Sequence, residues 1–91
     1  MKALQKKLAD AGWLDAEALE ANGETGKMGD ITYQAIYDVQ MYYNENVSAS
    51  TGIVLALVRD DNESFVDDKG AYYPIDEETY NYIMKKLVTK P

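Results

Sequence analysis

The sequence predicts a mainly α-helical single domain with a short extra helix and a β-hairpin inserted before its last main helix. Three observations predict it. The chain has 91 residues, enough for one small core. Apolar residues recur at helical spacing near both ends and in the middle. One short apolar run, Ile53 to Val58, breaks that spacing between turn-rich stretches.

The elements follow in order. Leu4, Leu8 and Ala11 recur at i, i+4 and i+7, which predicts a helix over 1–11. Gly12 ends it as a left-handed C′ residue, and Trp13 and Leu14 fold back onto the apolar stripe. Asp15 is a good N-cap for a short helix that Asn22-Gly23 terminates. Three glycines between Gly23 and Gly29 mark a loop. The second main helix is expected over 30–43, with Ile36, Val39 and Tyr43 inward and Tyr33, Tyr37 and Met41 on another face. Asn44 to Gly52 is polar and turn-rich. The β-branched content of Ile53–Val58 predicts a buried strand, with Phe65-Val66 returning beside it and Tyr72-Tyr73 as a third short strand. The last helix is expected over 77–88, capped by Asp76, with Ile83 and Leu87 inward.

Composition excludes several chemistries. The chain has no His and no Cys. Imidazole acid–base work, thiolate nucleophiles, disulfides and His/Cys metal sites are therefore unavailable. No apolar run is long enough to span a membrane. The net charge is −7, and eight acidic residues against one Lys lie between Asp60 and Glu78. Nucleic-acid binding, which draws affinity from phosphate contacts, is not expected. Met1 runs directly into Lys2-Ala3-Leu4-Gln5 with no apolar leader, which fits a cytoplasmic chain or a piece of a longer one. Acids sit in turns and at helix starts, so carboxylate catalysis is not expected, and neither is a cofactor. The acidic turn Asp60-Asp61-Asn62-Glu63 with Asp67-Asp68 lacks the EF-hand spacing and reads as a solvated turn rather than a metal site.

Two helix starts echo each other. Gly29-Asp30-Ile31-Thr32-Tyr33-Gln34-Ala35-Ile36 aligns with Asp76-Glu77-Glu78-Thr79-Tyr80-Asn81-Tyr82-Ile83. Convergent capping explains such an echo by itself. A wider pattern accompanies it: Leu4-Gln5-x-x-Leu8-x-x-x-Gly12-Trp13-Leu14, then Gly26-x-Met28-Gly29-x-x-Thr32-x-x-Ala35-Ile36-x-x-Val39-Gln40. This resembles the three-helix peptidoglycan-binding domain often appended to bacterial cell-wall hydrolases. The resemblance covers about residues 3–43 and 74–87. It implies an orthogonal three-helix bundle over 1–91. It also implies a non-catalytic module that binds peptidoglycan or a related wall glycan. Such a module positions a fused catalytic domain or anchors a surface protein, outside the cell or in the wall.

The chain departs from that pattern. Thr25 stands where the family usually has Asp, and Met28 replaces an aromatic. Residues 44–73 stand where the family has a short loop, with about 20 extra residues that read as an inserted β-hairpin, and insertions of this kind often carry specificity. A protein-interaction or spacer domain that has lost glycan binding, with the inserted hairpin as its interface, is the competing expectation.

Eight Tyr, one Trp and one Phe supply faces for sugar rings. The candidate ligand-binding residues are Tyr33, Tyr37, Gln40, Tyr72, Tyr73 and Tyr80. Trp13 reads as core. Gln5 and Gln40 admit two roles: bonding loop carbonyls to fix how the helices cross, or meeting a sugar or peptide amide.

Overall fold

Each of the first two helices ends where its sequence says it should. In the computed structural model, which describes residues 1–60 and 63–91, α1 (Lys2–Asp10) stops at Gly12, whose φ is +82°. Trp13 N–H donates to the Leu8 carbonyl (2.8 Å) and Gly12 N–H to that of Ala9 (3.0 Å). This is a Schellman closure. α2 (Ala16–Ala21) is capped by Asp15, whose Oδ1 accepts from Glu17 and Ala18 N–H. It closes the same way, with Glu24 N–H on Leu19 and Gly23 N–H on Glu20. The chain therefore leaves α2 aimed back at α1.

α3 (Asp30–Asn46) is three residues longer than expected. Its first turn is capped from the loop, where Glu24 Oε1 accepts from Ile31 N–H at 3.1 Å. A four-residue helix, α4 (Ser48–Thr51), follows within the stretch expected to be turns. α5 (Glu77–Lys85) starts as expected and stops three residues early. Leu87 is only half-buried in the tail beyond it. That tail is strapped back: Trp13 Nε1 donates to the Val88 carbonyl and Lys90 N–H to that of Ala11, each at 2.8 Å.

The fold is mainly helical, with one small antiparallel hairpin. α1 packs against α2, α3 and α5. Leu4, Leu8, Ile36, Val39 and Ile83 are at most 1% exposed and form the centre of the core. Trp13 and Leu14 are buried beside them, as expected, and Tyr43 meets Tyr82 edge-on at 4.7 Å.

The hairpin differs from expectation. Its strands are β1 (Phe65–Val66) and β2 (Tyr72–Tyr73), in register Phe65 with Tyr73 and Val66 with Tyr72. Residues 53–57 form no helix or strand and Val58 begins a turn, so among the described residues the run joins no strand ladder. Only Leu55 and Val58 of that run are buried, while Val54 is 71% exposed. Side chains satisfy its backbone instead. Asn44 accepts from Leu55 N–H (2.8 Å) and donates to the Leu55 carbonyl (3.1 Å). Asp76 Oδ2 accepts from Ala56 N–H. Asp76 thus occupies the N-cap position but spends its carboxylate on the Ala56 amide and the Thr79 hydroxyl, not on helix amides.

Two buried carboxamides tie loops to helices in matching fashion. Gln5 Nε2 donates to the Glu24 and Lys27 carbonyls and to Thr32 Oγ1, at 3.0–3.1 Å, and its Oε1 accepts from Gly26 N–H at 2.8 Å. Gln40 Nε2 donates to the Ala56 carbonyl (2.9 Å) and Thr79 Oγ1 (3.0 Å), and its Oε1 accepts from Val58 N–H (2.9 Å). The echo between the two helix starts therefore has a structural basis, because Thr32 of α3 receives the glutamine of α1 and Thr79 of α5 receives that of α3. α3 serves both clasps, giving Thr32 to the first and Gln40 to the second.

Both glutamines are nearly or fully inaccessible to water. Truncating one orphans several buried groups, at roughly 1–3 kcal/mol for each that finds no new partner. Gln40→Ala should therefore lower unfolding stability by about 2–3 kcal/mol in urea titration. Gln34→Ala, which loses only an exposed bond to Asp38, should cost under about 0.5 kcal/mol. Equal costs would contradict the clasp.

Candidate functional site

The irregular segment pinned by Gln40 and Asp76 forms one wall of a groove. Ala56 to Arg59 line it, facing Tyr33 of α3, Glu63, Ser64 and Tyr72 of the hairpin, and Pro74-Ile75. Its volume is about 290 Å³ and its lining is more polar than apolar. A second depression of about 250 Å³ adjoins it, bounded by Tyr33, Gln34, Tyr37, Val58, Arg59 and Asp60. Tyr33, Val58 and Arg59 are common to both.

Arg59 organises the junction. It is the chain's one arginine. Its guanidinium lies 4.6 Å from the Tyr33 ring centroid and donates to Asp30 Oδ1 at 2.8 Å. Its φ is +71°, a left-handed conformation that costs a non-glycine residue about 1 kcal/mol. The ion pair is exposed on both sides, so it contributes under about 1 kcal/mol and opens cheaply to another partner.

The predicted site residues divide into three groups. Tyr33 and Tyr72 open on the first groove, where Tyr72 is 64% exposed, and Tyr37 lies on the adjoining one. Tyr73 and Tyr80 are drawn into an aromatic cluster with Phe65. Tyr80 stands 4.8 Å from each of the other two rings. Phe65 and Tyr73 stack at 6.3 Å. Tyr73 is buried and Tyr80 half-buried, so these rings hold the hairpin on α5. Gln40 is fully buried and its carboxamide is consumed internally. It has no exposed atom for a ligand, which corrects the expectation that it lines the site. Arg59, Glu63 and Ser64 were not anticipated. A lone Arg closing an apolar run just before an acidic stretch was the available signal.

The acidic turn is organised locally. Asp67 Oδ1 accepts from Ala71 N–H (2.8 Å) and Lys69 N–H (2.9 Å) across the hairpin turn. Asp61 and Asn62, two members of the predicted acidic turn, lie outside the described residues. Among the described residues no three carboxylates converge as a metal site would require. Burial pushes the phenols of Tyr73 and Tyr82 above their ordinary value, with the neighbouring Tyr80 adding to the effect on Tyr73. The Tyr82 hydroxyl lies near the Val88 backbone without a well-formed hydrogen bond.

Comparison with protein-family models, with curated proteins and with solved structures finds no match.

The Ala71 amide, foremost, holds the Asp67 carboxyl below the usual aspartate value of 3.8. A depressed folded-state value means stability present above pH 3.8 and lost as pH falls through the lower folded value. NMR titration should therefore show the Lys69 and Ala71 amides shifting with a midpoint below 3.8. Asp67→Ala should abolish the shift. A midpoint at or above 3.8 would refute this account of the turn.

Proposed function

We propose that the chain is a non-catalytic module that binds bacterial cell-wall peptidoglycan or a related glycan and positions an attached protein there. The observation that carries this reading is the groove lined by both Tyr33 and Tyr72, together with the polar side chains of Arg59, Glu63 and Ser64. Sugar rings lay their C–H faces on aromatic planes while hydroxyls and amides find polar partners. The family-like positions support it from the fold side, since Gln40 and Thr79 serve the clasp that sets the groove's wall, and Gln5 and Thr32 serve its counterpart at the loop after α2. The net charge of −7 supplies no long-range attraction to anionic wall polymers. Binding is therefore local, modest and insensitive to salt, and retention comes from tethering.

A second reading has its own observation. Ile53, Val54, Val66 and Tyr72 are exposed apolar side chains within the inserted stretch. A protein-interaction or spacer domain would use them as its contact surface.

Co-sedimentation with insoluble purified peptidoglycan, with and without teichoic acids, separates the two. The wall-binding reading predicts pelleting that is equal at low and high salt. Tyr33→Ala with Tyr72→Ala should weaken it roughly tenfold, the loss of two stacking contacts. Absence of pelleting at high protein concentration would sink it. Val54→Ser with Val66→Ser leaves pelleting unchanged under the first reading and is the variant to carry into partner searches under the second.

A further inference from the structure

The corner after α1 and the first turns of α3 enclose a separate shallow groove of about 400 Å³. Its floor is apolar: Trp13, Leu14, Ile31 and Ala35. Its rim carries three carboxylates, Asp15 from the α2 cap and Asp30 and Asp38 from α3. We propose that this groove docks a segment of a partner protein in which a Lys or Arg stands beside a bulky apolar side chain.

Three observations select that occupant. The floor offers more apolar than polar surface, so it rewards an apolar side chain. The rim is acidic on a chain of net charge −7, which complements a cation and disfavours a second copy of this chain. The molecule's own cations already sit at the edges. Arg59 lines the groove, bonds Asp30 and covers the Tyr33 ring. Lys90 Nζ lies 5.9 Å from the Trp13 ring centroid. Both side chains belong to exposed residues, so an incoming cation replaces a weak surface contact. Asp15 uses only Oδ1 for its helix, and Oδ2 is left for a partner.

This inference does not rest on the wall-binding reading, which uses Tyr33 and Tyr72 on the neighbouring groove. Trp13 is the single Trp, so its emission reports this groove. The full chain is titrated with blocked decapeptides alternating Leu with Lys, Leu with Glu, or Leu with Ser. The Leu-Lys peptide should shift Trp13 emission saturably, and the other two should not. Asp15→Asn with Asp38→Asn, which preserves a capping side chain, should weaken that binding at least about fivefold. Glu45→Gln with Asp68→Asn removes the same charge away from the groove and should weaken it less than about twofold. Circular dichroism of each variant establishes that it is folded. A non-saturating response, equal binding of the Leu-Ser peptide, or equal weakening by the two variants would overturn the proposal.

Discussion

Two primary carboxamides inside an apolar seam hold this molecule in shape. A glutamine side chain carries an acceptor and two donors on one plane, which matches what a buried loop backbone lacks. Among the described residues, the loop after α2 and the irregular segment before the hairpin both enter the interior without a strand partner. Their amides and carbonyls need bonds there, because an orphaned buried backbone group costs as much as a lost hydrogen bond. Gln5 and Gln40 supply those bonds, and Thr32 and Thr79 anchor each amide to the next helix. Helix, loop and helix become one unit, twice over, with α3 common to both.

The candidate site inherits its shape from the second unit. Ala56 and Val58 are pinned by Gln40, Leu55 by Asn44, and the Ala56 amide by Asp76. With those points fixed, Arg59 emerges in a left-handed conformation over Tyr33. The aromatic residues then divide by position. Phe65, Tyr73 and Tyr80 fasten the hairpin to α5, which leaves Tyr72, the outward neighbour of Tyr73, facing the groove. Groove lining and structural glue thus alternate along one two-residue strand, as the pleat requires.

Much of this was legible in the residues. Leu4 and Leu8 fix the inward face of α1, and Gly12 and Asp15 mark a stop and a start because their physics is local. The wider pattern singled out Gln5 and Gln40, although both structural and ligand-facing roles fitted the sequence, and the echo around Thr32 and Thr79 read there as convergent capping. What was not legible depends on contacts distant in sequence. The run Ile53–Val58 announces burial and extension, yet nothing in it states that Asn44, Gln40 and Asp76 will replace a neighbouring strand. Tyr73 and Tyr80 looked like surface tyrosines until the hairpin brought both of them together with Phe65. Arg59 gave little warning, since its importance comes from Asp30 and Tyr33, nearly thirty residues earlier.

Native-state hydrogen exchange tests the central claim most directly. Gly26 and Val58 lie in irregular segments, yet their N–H groups donate to buried glutamine oxygens. Both amides should exchange only through openings nearly as costly as global unfolding, as core helix amides do. Their neighbours Thr25 and Arg59, both in exposed positions, should exchange far faster. Exchange of Gly26 and Val58 at the rate of those neighbours would mean that the carboxamides do not hold the loops, and the account built on them would fail.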